Sequence, residues 1–336
     1  MSDTIISLES ALDQFRDAIA AKGITPPIAI EPDGKLHRFS SNGKPDDDAG
    51  WYVFHEGNIP AGSFGDFRTG QTVSSWMADI GRPLLPLEKK DFRKKQEEMR
   101  VKREADIAIR RAEAKQKASN ILRLSEAAHD DHPYLLRKEV RAHGLRNWKG
   151  LLIIPMIDES CEVQSLQFIA GDAGKRFLSG GKMQGCYFPL GDLNEAEIIL
   201  IAEGYATAAT LYEVTGQPTI VAYNAGNLLP VARSIRAQHP AASIIICADD
   251  DNKTKGNPGL TKAHEAARAI NGTLIAPDFG DNRPDGLTDF NDMAVHLGKE
   301  AVACHFINRP VERKIDTTYS TATTPQTKRL TVRLDA

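Results

Sequence analysis

The sequence predicts an α/β protein: a doubly wound parallel sheet over residues 196–308, an α+β subdomain ahead of it over 119–195, and a small α+β domain over 1–86. Three observations carry this prediction. Short apolar runs alternate with helical segments from Ile198 onward, the rhythm of parallel strands joined by crossover helices. Two longer apolar runs, Leu151 to Ile157 and Val163 to Ile169, flank Asp158-Glu159-Ser160 and read as a hairpin. A stretch free of Gly and Pro, residues 87–118, separates the N-terminal domain from the rest.

The elements follow in order. Leu8, Leu12, Phe15 and Ile19 recur at helical spacing, so residues 7–21 form an amphipathic helix. Ile28 to Ile30 and Leu36 to Phe39 read as strands about the Asp33-Gly34 turn, and Asn42-Gly43 is a second turn. Trp51 to Phe54 and Ser63 to Arg68 read as further strands, and Val73 to Ile80 as a short helix. Residues 87–118 hold 12 Lys or Arg against 7 Asp or Glu in a chain of net charge -3. They read as one long exposed helix, either a solvated connector or a phosphate-contacting arm, and Ser119 to Ala128 continues helical. After the hairpin, Arg176 to Leu178 and Cys186 to Pro189 are strand pieces about Gly180-Gly181.

The parallel sheet takes strands at Ile198 to Ala202, Thr219 to Ala222, Ser243 to Ala248 and Thr273 to Ala276. Helices fall at about 206–214, 228–238, 260–270 and 290–297. Residues 309–336, rich in Thr and charge, read as a flexible tail.

Composition narrows the function classes. The chain of 336 residues is 41% hydrophobic and 26% charged, which argues against wholesale disorder. No apolar run approaches the roughly 18 residues of a membrane span, and Met1 to Arg16 lacks a signal pattern; the reading is cytoplasmic, with no membrane partner. With net charge -3, nucleic-acid binding must come from local patches. Cys161, Cys186, Cys247 and Cys304 form no C-x-x-C pair, so no zinc is expected and each reads as a small buried hydrophobe. No G-x-x-x-x-G-K-[ST] string occurs, so no helicase is fused to this sequence.

In open parallel sheets, chemistry sits beyond the carboxyl ends of the strands. Glu203 follows the first strand, Asp249-Asp250-Asp251 the third, and Asp289, Asn291 and Asp292 lie beyond the fourth. Any one of these acids could be a helix cap. Three sets at three strand ends form a cluster that repels itself unless hard divalent cations hold it. Opposite them, Lys175, Arg176 and Lys182 lie among Gly174, Gly180 and Gly181, a segment suited to triphosphate or template phosphates. Lys253 and Lys255 lie in the loop after the acidic triplet. Tyr205 either stacks on a base or packs under the sheet. Trp51, Phe54, Phe64 and Phe67 either build the N-terminal core or offer a stacking surface for single-stranded bases; His264 reads as surface.

These residues resemble a known family. Glu203-Gly204 after one strand and Asp249-x-Asp251 two strands later resemble the Toprim domain of primases, topoisomerases and some nucleases, with Asp250 at the variable middle position. The string E-G-Y-A-T-A, Glu203 to Ala208, is similar to a signature of primases from conjugative plasmids and satellite phages, and Asn257 to Lys262 resembles the same group. His132-Pro133-Tyr134-Leu135-Leu136-Arg137 resembles the Y-L-x-x-R element that opens the polymerase core of bacterial primases. Ile153 to Asp158 with Val163 to Ile169, then Lys175 to Ser179 with Lys182 and Cys186-Tyr187-Phe188, are similar to the hairpin and basic segment that precede Toprim there. The matches run in family order from about 120 to 300.

The resemblance implies a DNA primase that makes short RNA primers on single-stranded DNA in plasmid, phage or mobile-element replication. It implies Glu203, Asp249 and Asp251 as catalytic residues, Glu203 being metal ligand or general base. Those three with Asp289 and Asp292 would hold Mg²⁺ or Mn²⁺, as two ions. Lys175, Arg176, Lys182, Arg137 and Lys253 would bind nucleotide or template. Ribonucleoside triphosphates and a single-stranded DNA template are the implied substrates, and a separate replicative helicase an implied partner. The cysteine-rich module that begins bacterial replicative primases is absent here; Gly65 to Gly70 occupies the corresponding region, so the N-terminal domain would be a zinc-free template reader. A Toprim nuclease using water as nucleophile, or a non-catalytic single-stranded DNA-binding protein, are the alternatives; a topoisomerase fits less well, lacking a strand-passage region.

Overall fold

The computed structural model describes residues 6–45, 47–66, 71–254, 256–281 and 283–307. The chain divides into two compact units, residues 1–103 and 104–336. The expected tail over 309–336, together with Phe67, Arg68 and Lys255, lies outside the described residues.

In the first unit, helix α1 (Leu8–Ala20) starts where the Ser7 side chain accepts the Ser10 N–H. It buries Ala11, Phe15 and Ile19 against an antiparallel sheet of β1 (His37–Phe39), β2 (Gly50–His55), β3 (Ala61–Asp66) and β4 (Gln71–Met77). Phe15 is the hub, in edge-on contact with Tyr52, Phe54, Phe64 and Trp76. Two expectations fail here. Residues 28–30 form no strand; β1 pairs with β2 instead. Val73 to Ile80 is not a helix. Gly62 pairs with Trp76 but Phe64 with Val73, so β4 carries one residue more than β3 across this step. That bulge puts Val73 and Trp76, both packed on the core, three residues apart and mimics helical spacing.

Helix α2 (Pro86–Leu124) is the predicted charged helix, and the division between the units falls within it. It stops at Leu124 rather than continuing to Ala128, because Glu126–Ala127 forms strand β5. It is not exposed throughout: Ala114, Ala118 and Ile121 are buried.

In the second unit, β5 joins β6 (Arg146–Trp148), β7 (Leu151–Ile157), β8 (Val163–Ile169) and β9 (Lys175–Phe177) in one antiparallel sheet, with α3 (Pro133–Lys138) between β5 and β6. Its strands alternate: Ile153, Leu166 and Phe168 meet the end of α2, while Leu152, Ile154 and Ile169 face the other core.

The second sheet has the order β10-β12-β11-β13-β14, with β10 (Phe188–Leu190), β11 (Ile198–Ala202), β12 (Thr219–Val221), β13 (Ser243–Cys247) and β14 (Thr273–Ile275). The last four are parallel; β10, upstream of residue 196, adds to the edge antiparallel. Ile199 and Ile201 pack under α5 (Ala225–Gln238) and α6 (Pro258–Ala269). Leu200 and Ala202 face α4 (Tyr205–Thr215) and α7 (Phe290–Leu297). Helix α8 (Lys299–Ile307) closes the described chain. Of the cysteines, Cys186 and Cys247 are buried as expected, Cys161 is half-buried, and Cys304 is exposed. No helix among the described residues is long and apolar enough to cross a membrane.

Candidate active site

From β11 the chain passes to β12 on one side and later to β13 on the other, so the strand order reverses beside β11, where such sheets open a crevice. Ala202 and Cys247 are paired, so Glu203 and Asp249 leave adjacent strand ends. Asp289 caps α7 and accepts the Asp292 N–H at 2.8 Å. Asp251 is held by the Gly259 N–H at 3.2 Å. A Cβ at Gly259 would sit 2.6 Å from the Asp249 carbonyl and 3.0 Å from Asp251 Oδ2, so α6 can approach the triplet this closely only with glycine there.

Burial, then the charges of Asp251 and Asp289, push the Glu203 carboxyl up to about 7. Burial, then Glu203, Asp289 and Asp251, push Asp249 up to about 9. Asp289 is raised as well, chiefly by burial and then by Asp292. Glu203 accepts the Ala225 N–H, but its Oε1 and Asp249 Oδ1 are buried with no hydrogen-bond partner. Two buried carboxylate oxygens without donors are costly unless a cation completes them, and the donor set, all carboxylate, fits a hard divalent ion.

Of the expected basic residues, Lys175 acts on this cluster. It is paired with Ile169 on β8 and faces the same way; its charge lowers Glu203 and Asp249, and its Nζ would lie 3.9 Å from a Cβ at Gly204. Arg176, one residue on, turns to the other face, over the Phe168 ring at 5.5 Å. Arg137 donates to the Gly171 carbonyl at 3.0 Å, bracing the turn ahead of β9. Burial pushes the Cys186 thiol up to about 11, against the lowering charges of Lys182 and of Arg111 in α2. Lys253 pairs with Asp285. Asp292, expected among the metal ligands, has both oxygens engaged: Oδ2 accepts the Thr288 N–H at 2.9 Å and Oδ1 pairs with Lys138 at 3.1 Å. With Asp289 accepting the Asp292 N–H, these bonds fix the chain's entry into α7. Tyr205 packs, its hydroxyl donating to the Arg141 carbonyl at 2.8 Å; Phe54 and Phe64 are core, while Trp51 is half-buried. His264 is exposed.

Sequence reasoning missed Thr207, which hydrogen-bonds Asp289, and Lys138 and Arg283, which bind acids from distant segments. Thr207 could have been found, standing one helical turn after Glu203. Lys138 and Arg283 left no local signal.

The first unit holds a contrasting group. Ligand atoms of Glu31, Asp33 and His37 lie within 4.8 Å of one another, the one such trio among the described residues.

Comparison with known proteins places this site in a class. Residues 198–300 match the family described as Toprim domain, so the parallel sheet with its acidic edge is a Toprim domain. The chain is homologous to two Escherichia coli proteins named DNA primase TraC. One is 35% identical over 288 residues, covering 80% of this chain and 26% of the relative; the other is 32% identical over 258 residues, covering 74% and 18%. The chain thus spans about a quarter or less of the length of these relatives. Among solved structures, the DnaG primase catalytic domain bound to ssDNA gives a TM-score of 0.44 at 13% identity, over 60% of this chain and 80% of that one. The primase fragment of the bacteriophage T7 primase-helicase gives 0.42 at 14%, over 54% and 75%.

Proposed function

We propose that this chain is a DNA primase, joining ribonucleotides on a single-stranded DNA template by nucleotidyl transfer. The observation that carries the reading is the set of buried, donor-less carboxylate oxygens of Glu203 and Asp249 at a Toprim strand edge, facing Lys175, in a chain homologous to DNA primase TraC.

In this reading Asp249, Asp251 and Asp289 hold Mg²⁺ or Mn²⁺, as two ions. Such ions lower the pKa of the attacking hydroxyl and neutralise charge on the pyrophosphate. Glu203 Oε1, free of any donor, is the oxygen available to ligate or to take the proton of the primer 3′-hydroxyl. Lys175 holds triphosphate oxygens across from the acids. Asp292 acts through the α7 cap rather than on metal. Arg137 stiffens the turn that presents Lys175; Arg176, Lys182 and Lys253 contact template or nucleotide farther out. The protein works in the cytoplasm, where template, ribonucleotides and a separate replicative helicase are available.

The test incubates the chain with single-stranded DNA, labelled ribonucleoside triphosphates and Mg²⁺ or Mn²⁺. A ladder of short RNA, lost in Asp249→Ala, supports the reading. Degraded DNA would make the protein a Toprim nuclease, and neither product would leave a DNA-binding role.

A further inference from the structure

The acids of this site come from separate segments, and like charges there push apart. The β13 end brings Asp249 and Asp251; Asp289 arrives only after the loop following β14. Arg283, in that loop, has a side chain only 14% exposed. Its Nη1 donates to Asp250 Oδ2 at 2.5 Å and its Nη2 to the Asp250 carbonyl at 2.6 Å. Its Nε donates to the Leu287 carbonyl at 2.7 Å, and its guanidinium lies 4.6 Å from the Phe279 ring centre. The Asp250 N–H donates in turn to the Thr288 carbonyl at 2.8 Å, one residue before Asp289. On the other side, Asn257 Nδ2 donates to Asp250 Oδ1 at 2.6 Å, and Asn257 Oδ1 accepts the Asp251 N–H at 2.9 Å.

We propose that Arg283 is a positioning residue that latches the Asp289 segment to the acidic triplet through Asp250, and so sets the spacing at which the carboxylates take a divalent ion. The proposal rests on the metal-dependent reading above. Asp250, the middle acid, is thereby the receiver of the latch rather than a ligand. The fork is planar and reaches Asp250 and Leu287 at once; an ammonium at the same place is a point charge and cannot span both. The hydrogen bonds of Arg283 go to Asp250 and Leu287, so it acts on the spacing of the segments through geometry.

The test titrates Mn²⁺ into the full chain and reads bound ion by electron paramagnetic resonance, with circular dichroism and melting as checks on folding. Arg283→Lys keeps the charge and loses the fork. It should bind Mn²⁺ about 10- to 100-fold more weakly, the usual cost of losing a partner that orients ligands. Asp250→Asn, which keeps the shape of the receiver, should lose affinity in the same direction, and the double variant should be no worse than the weaker single one. If Arg283→Lys fails to fold, Asp250→Asn carries the test alone. Parental Mn²⁺ affinity in the folded variants would overturn the latch. If the parent itself takes up no Mn²⁺ that Asp249→Ala removes, the metal reading fails, which is a separate result.

Discussion

Two groups of acids in this molecule have opposite fates. In the first unit, Asp33 lies at the surface, and a hydrogen bond from His37 at 2.8 Å, with the Lys35 N–H, holds its carboxyl down at about 2. In the second, Asp249 is half-buried, its Oδ1 is buried without a donor, and its carboxyl is pushed up to about 9. Asp33 is already satisfied by its own neighbours, whereas Asp249 is left short of a donor. Proximity of acids is therefore the weaker indicator of a cation site, and unmet demand for a donor the stronger one.

The largest expected effect breaks the comparison at its root. Asp249→Ala or Glu203→Ala should lower primer synthesis by about 100-fold or more, the scale of removing a group that meets the transition state, while Asp33→Ala leaves the rate within about twofold. Gel assays of the three variants decide it; equal losses would erase the distinction between the groups.

Next comes the pH dependence of stability without metal. Asp249 has a raised folded value, so its contribution is present below the unfolded value, near 4, and is lost as pH rises toward about 9. Asp249→Asn should therefore melt higher than the parent at pH 8, by about 1–2 kcal/mol, with the gap closing toward pH 5. Asp33 has a lowered value, so its contribution is present above about 4 and is lost as pH falls through about 2. Asp33→Asn should differ from the parent at neutral pH and converge with it in acid. Melting curves across pH show whether the two slopes have opposite sign.

A smaller effect sharpens the comparison. Lys175→Ala removes the basic residue that lowers both Glu203 and Asp249, so metal uptake should move to higher pH and the nucleotide KM should rise by about tenfold. Arg176→Ala, on the opposite face of β9, should change the KM less. A reversed ranking of KM values would put the nucleotide on the other side of the sheet.

Much of this was legible in the sequence because it is local. The strand ends before Glu203 and Asp249 follow from apolar runs and from what comes after them, and the alternation that separates Lys175 from Arg176 is inherent in a strand. What was not legible depends on distant pairing. The bulge in β4 disguised a strand as a helix. β10 reads as a strand in sequence, but only pairing with β12 shows that it belongs to the parallel sheet. The pairing of Asp292 with Lys138, 154 residues away in sequence, leaves no trace in the sequence. Arg283 had no periodicity or motif to mark it.

The strand-end carboxylates, rather than the surface trio, are the expected holders of the ion. Calorimetric titration with Mg²⁺ at pH 7.5, in two buffers of different ionisation heat, tests it most directly. Carboxyls that sit near 7 and 9 in the metal-free protein must shed protons to ligate. Release of about one proton or more per ion bound is expected, with loss of binding in Asp249→Asn but not in Asp33→Asn. Binding without proton release, or binding lost with Asp33 and kept without Asp249, would contradict it.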